Sequence, residues 1–99
     1  MTNKQYQYLV KRFQNKLKPK AKRNFAYNEG IEESLRVLFR DYETHTWYKH
    51  KSLSVEEYDY LQLELSRRLK TDFSNPAGQY NDAILACKSI LKEVRLCYT

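Results

Sequence analysis

The residues able to make and break bonds are few, and their spacing suits no reaction. His45 and His50 lie five apart, while Cys87 and Cys97 follow far downstream. The two histidines therefore lack a close cysteine pair to complete a zinc site. On a shared helix, the two cysteines would sit roughly 15 Å apart at 1.5 Å rise per residue. A disulfide needs Cα atoms within about 7 Å. They read instead as small buried or half-buried thiols of a reducing cytosol. There is no Gly-rich phosphate loop, no His-Glu-x-x-His run, and no Ser or Cys in a recognisable nucleophile setting. Tyr27-Asn28 and Tyr80-Asn81 form a repeated polar pair, but Asn near a helix start generally serves local hydrogen bonding. The reading is a binding protein with no catalytic residues, no metal and no cofactor.

Positive charge is what the chain concentrates. The formal net charge is +6. Residues 1–23 hold eight Lys and Arg and no acid, and residues 24–99 net −2. Lys11, Arg12, Lys16, Lys18, Lys20, Lys22 and Arg23 would form a cationic surface on the first helix and its exit. Such a surface neutralises phosphates and releases their counterions. Tyr8 sits two residues from Tyr6, off the apolar stripe, where an exposed ring could stack on a base. The alternative is a solvated face that aids solubility, or a basic half that attracts an acidic one within or between chains. A second candidate surface is Thr44-His45-Thr46-Trp47-Tyr48-Lys49-His50-Lys51, which holds the only Trp. Trp47 and Tyr48 beside cations are residue types that dominate interfaces. Trp47 could equally fold back to cap the core.

These residues need elements to hold them, and the pattern is helical throughout. Gly and Pro occur only twice each, which suits long helices with few turns. The spacing predicts a first helix from about Asn3 to Lys18, capped by Thr2 with Gln5 three residues on and ended by Pro19. A second runs from about Phe25 to Tyr42 on the stripe Tyr27, Ile31, Leu35, Leu38 and Tyr42. A third follows the cap Ser54 and its Glu57, a second capping box, and runs to about Lys70 on Tyr58, Leu61, Leu65 and Leu69. Asn75-Pro76 supplies a cap and an N1 proline for a fourth, reaching about Leu96 on Tyr80, Ile84, Cys87, Leu91 and Val94, with Ile90 beside them.

The third and fourth helices repeat the first and second. Thr2, Gln5, Tyr6, Tyr8, Leu9 and Leu17 recur 52 residues later as Ser54, Glu57, Tyr58, Tyr60, Leu61 and Leu69. Tyr27-Asn28-Glu29-Gly30-Ile31 recurs 53 later as Tyr80-Asn81-Asp82-Ala83-Ile84. The expected fold is all-α. Two duplicated helical hairpins, about 2–42 and 54–97, pack as a pseudo-symmetric four-helix bundle in a single domain over 1–99.

The helices Tyr27–Leu38 and Tyr80–Leu91, with the Lys-, Asn- and Tyr-rich usage, resemble those of small helical proteins encoded by bacteriophages and other mobile elements of low-GC Gram-positive bacteria. That resemblance covers about a quarter of the chain and carries over no functional residue. It implies non-enzymatic proteins that block or retune a host system, such as inhibitors of CRISPR or restriction effectors. The expected partner is a host protein or nucleoprotein complex. The alternatives are direct, weakly sequence-specific binding of DNA or RNA through residues 4–23, or a bundle like bacteriocin-immunity proteins. No helix-turn-helix spacing is evident. With no apolar h-region at its start and no span of roughly 20 apolar residues, the chain is expected to stay off membranes in the cytoplasm of a bacterial host. A monomer and a homodimer both fit.

Overall fold

The computed structural model describes residues 1–44 and 53–97. They form α1 (Asn3–Gln14), α2 (Phe25–Thr44), α3 (Val55–Ser66) and α4 (Asn75–Cys97), with one 3-10 turn over Lys22–Asn24 between the first two. No strand occurs among the described residues, and no helix there is long and apolar enough to cross a membrane. The architecture is the all-α, four-helix bundle expected from the periodicity.

The helix bounds differ from the expected ones for local reasons. α1 and α3 end at Gln14 and Ser66, each four residues short of Lys18 and Lys70. Asn28 Oδ1 accepts from the Lys18 N–H and its Nδ2 donates to the Lys18 carbonyl, both at 2.9 Å. Asn81 holds Lys70 in the same way, at 2.8 Å in both directions. An N–H that donates to a side chain is taken from the helical ladder, so the clamps keep Lys18 and Lys70 outside it, after a tighter turn at each helix end. At α4 the cap is Ser74 and not Asn75. The Ala77 N–H donates to Ser74 Oγ at 3.3 Å, and Asp72 Oδ1 accepts from the Ser74 N–H and hydroxyl at 3.1 and 2.7 Å. The Thr2 capping box is complete. Ser54 accepts from the Glu57 N–H at 3.1 Å, but the Glu57 carboxylate accepts from the Met1 amino group.

Burial follows the repeat closely. Met1, Gln5, Leu9 and Phe13 are buried, and so are Leu53, Glu57, Leu61 and Leu65 at offset 52. In α2, Gly30, Ile31, Ser34, Val37, Leu38 and Asp41 are buried, matched at offset 53 by Ala83, Ile84, Cys87, Ile90, Leu91 and Val94. Leu61, Leu65, Ile84 and Leu91, central to the expected stripes, lie in this core. The inner face of α2 lies slightly off the expected stripe: Tyr27, Leu35 and Tyr42 are only half-buried. The true inner line runs through small and polar residues that an apolar pattern does not reveal.

α2 and α4 form the central pair, and α1 and α3 each pack against both. The central helices approach so closely at Gly30 that a Cβ there would lie 2.7 Å from both Ala83 Cβ and the Tyr80 carbonyl oxygen. Small-residue spacing, Gly30 to Ser34 and Ala83 to Cys87, makes the approach possible. The flanking helices exchange reciprocal bonds. Met1 donates to Glu57, and the Leu53 N–H donates to Gln5 Oε1 at 3.0 Å. Met1 and Leu53, like Gln5 and Glu57, are repeat equivalents.

One end of this core is charged. Asp41 is buried near Glu57 and the amino group of Met1, where its repeat equivalent is Val94. Burial, then the hydrogen bond and charge of Glu57, push the Asp41 carboxyl up to about 8, against a smaller opposing pull from the amino terminus.

Two outcomes follow. Gly30→Ala should destabilise by about 1–3 kcal/mol, because backbone and a packed methyl must move. At Gly78 nothing lies within 4 Å of the added carbon, so Gly78→Ala should stabilise by up to about 1 kcal/mol. Urea midpoints moving in the same direction for both would contradict the close crossing. The second outcome concerns pH. An unfolded Asp titrates near 3.9, so between about pH 4 and 8 the folded state holds a proton that the unfolded state has released. Stability from this carboxyl is present below pH 4 and is lost as pH rises through about 8. Asp41→Asn should remove that slope, worth up to about 1.4 kcal/mol per pH unit. Parallel stability–pH curves for the two proteins would contradict it.

Candidate anion-binding surface

The connector between α1 and α2 carries the densest charge, and its backbone is held in place. Asn28 clamps Lys18, Asn24 Nδ2 donates to the Pro19 carbonyl at 2.9 Å, and the Asn24 N–H donates to the Ala21 carbonyl at 2.9 Å. The extended backbone of Ala21 then leads into the 3-10 turn. Between these fixed points Lys20, Lys22 and Arg23 remain exposed. They line a groove of about 910 Å³, together with Phe25, Ala26 and the first residues of α4, Asn75, Pro76 and Gln79. Glu29 and Glu32 of α2 complete the wall. The groove therefore combines three cations, an aromatic ring that is 70% exposed at Phe25, and two acids to one side.

The other expected site residues fall into three groups. Lys11 and Lys16 are exposed on α1 and just beyond it. Lys18 is exposed, with its ammonium 4.1 Å from the Tyr27 ring centroid. Lys70 over Tyr80, at 4.4 Å, repeats that contact, so the Lys18 position belongs to the repeated fold as well as to the basic surface. Arg12 and Tyr8 are tied together. Arg12 Nη1 donates to the Tyr8 hydroxyl at 3.0 Å, and Nη2 pairs with Glu93 of α4 at 2.6 Å. The Glu93 and Tyr8 bonds raise the Arg12 pKa further. This guanidinium joins α1 to α4 and contributes less free charge than its position in the sequence suggests. Trp47 and Tyr48 lie outside the described residues, as do His45 and His50.

Phe25 was missed by the sequence reading, although a signal existed. It stands two residues from Tyr27, off the apolar stripe, just as Tyr8 stands beside Tyr6. Phe73, wholly exposed on the α3–α4 connector, is a second exposed aromatic that periodicity did not flag. Among the described side chains, the Cys87 thiol is quiet. Burial pushes the Cys87 thiol up to about 11, only partly offset by Ser34 and Lys16. Among the described residues no three His, Cys, Asp or Glu cluster to hold a metal ion.

No protein-family model matches the chain, and comparisons with curated proteins and with solved structures found no match.

The clamps give a test that separates fold from surface. Asn28→Ala and Asn81→Ala each remove two side-chain-to-backbone bonds and should each cost about 1–2 kcal/mol. Only Asn28→Ala should also loosen the basic connector and weaken capture of a polyanion such as heparin. Equal loss of heparin binding in both variants would detach the connector's geometry from the function of the surface.

Proposed function

We propose that this chain is a non-enzymatic binding protein of the mobile-element accessory kind, which inhibits or modulates a host protein or nucleoprotein complex. The groove lined by Lys20, Lys22, Arg23 and Phe25 is its contact surface for an anionic partner. The single observation that carries this reading is that a pinned connector presents three exposed cations and an exposed aromatic ring on one groove. Cations act together on a partner of opposite sign, and a central aromatic is the residue type that anchors interfaces. Pinning lowers the conformational freedom lost on binding. The absence of a catalytic constellation in the sequence is in keeping with inhibition by occupancy rather than by chemistry.

A second reading, direct binding of single-stranded nucleic acid, draws on the same groove. Phosphates would meet Lys20, Lys22 and Arg23 while a base stacks on Phe25. Salt dependence and the aromatic substitution separate the two readings.

The experiment is triple charge reversal, Lys20→Glu, Lys22→Glu and Arg23→Glu, with folding followed by circular dichroism. Exposed charges are individually worth only about 0–1 kcal/mol to stability, so the fold should persist. Capture of the partner from a bacterial host lysate, or binding of an oligonucleotide, should fall steeply. For a single strand, the slope of log affinity against log salt should become shallower by roughly 0.7 per lost phosphate contact. Phe25→Ala should weaken oligonucleotide binding with little change in that slope. A folded triple variant with undiminished binding would remove this groove from the function.

A further inference from the structure

The two hairpins share a core but differ where their helices meet on the outside. In the second hairpin the outer junction of α3 and α4 is bridged by polar groups. Gln62 Nε2 donates to the Tyr58 hydroxyl at 3.2 Å and to the Lys88 carbonyl at 3.0 Å, and Lys88 Nζ donates to Ser66 Oγ at 2.6 Å. In the first hairpin the equivalents of Gln62, Lys88 and Lys92 are Val10, Leu35 and Phe39. There, among the described residues, the junction of α1 and α2 forms a groove of about 580 Å³, with Arg36, Arg40 and, at its end, Glu43 along its α2 side. Phe39 in this groove is 54% exposed. The fold does not require apolar residues at these positions, because the second hairpin builds the same core with polar ones.

The second hairpin carries the opposite departure. The outward stripe of α3 holds Glu56, Asp59, Tyr60 and Leu63, with Leu63 51% exposed. The equivalent residues of α1 are Lys4, Gln7, Tyr8 and Lys11. Among the described residues no ion pair engages Glu56, Asp59 or Arg40, whereas Arg36 pairs with Glu33 at 2.6 Å. One face of the chain is thus an apolar groove edged by arginine, and another is an apolar ridge edged by acid.

We infer that the α1–α2 groove of one copy receives the outer face of α3 from a second copy. Leu63 lies against Val10, Leu35 and Phe39, while Glu56 and Asp59 meet Arg40. Groove and ridge are different surfaces, so the contact is head-to-tail and either closes into a ring or extends. α3 has 12 residues and is therefore about 18 Å long. A contact of that length falls at the small end of interfaces, below about 1,200 Å² in total. Association is consequently weak, dependent on concentration, and sensitive to salt. It shares no residue with the Lys20–Arg23 groove, so it stands or falls independently of the proposed partner.

The test is sedimentation velocity of the full chain from about 10 μM to about 1 mM at low salt, a range that brackets a weak complex. The native chain should gain mass with concentration. Arg40→Glu alone, and the pair Glu56→Arg with Asp59→Arg, should each remain monomeric while keeping native circular dichroism, since all three side chains are exposed. An equimolar mixture of the two variants should associate again, because each groove then faces a ridge of opposite charge. A native chain that is monomeric throughout, association that survives either reversal, or a mixture that stays monomeric would overturn the inference.

Discussion

The close approach of α2 and α4 at Gly30 is the constraint on which the rest of the structure depends. With no Cβ at Gly30 and only a methyl at Ala83, the two central helices come nearer than larger side chains would allow. Ser34 and Cys87 continue the narrow line, and the Ser34 hydroxyl is turned back to the Gly30 carbonyl at 2.9 Å. Because this pair sits so close, α1 and α3 can each reach both central helices. Leu9 and Phe13 from one side, and Leu61 and Leu65 from the other, then complete a single core. Neither hairpin alone would bury its apolar face.

Inside, the two halves are near equivalents; outside, they diverge. The Thr2 and Ser54 caps, the Asn clamps and the Lys–Tyr contacts recur in both hairpins. The divergent positions are the α1–α2 connector, where Lys20, Lys22 and Arg23 stand at the places of Asp72, Ser74 and Asn75, and the helix junctions, apolar in one half and polar in the other. A repeated core leaves surface positions free to change without loss of packing. The functional reading therefore rests on what differs between the halves rather than on what they share. One interior departure is the charged end, where Glu57 and Asp41 stand in place of Gln5 and Val94. There the Met1 amino group donates to the Glu57 carboxylate, as the Leu53 amide donates to neutral Gln5.

Much of the fold was legible because helix periodicity, cap residues and the 52- and 53-residue offsets are written in local sequence. Four helices, their order, the repeat and most of the buried leucines and isoleucines follow from those signals. What escaped depends on contacts distant in sequence. Asn28 and Asn81 hold Lys18 and Lys70 outside α1 and α3 by bonding backbone some ten residues away, and no cap rule describes that. The inward face of α2 was misjudged because Gly30, Ser34 and Asp41 do not look like core. The basic surface was legible as charge, but its division was not. Arg12 is drawn to Glu93, 81 residues on, while Lys20, Lys22 and Arg23 gather with Phe25 against the start of α4.

Native-state amide hydrogen exchange followed by NMR tests the central claim most directly, namely that two equivalent hairpins form one cooperative core through the α2–α4 crossing. Amides of Ile31–Leu38 and Ile84–Leu91 should be the slowest to exchange and should share one opening free energy, equal to that of global unfolding. Leu9–Phe13 and Leu61–Leu65 should follow at closely similar levels. If the α1–α2 hairpin opened in a separate step well below α3–α4, or if the α2 amides around Gly30 exchanged early, the account of a shared core built on that crossing would be contradicted.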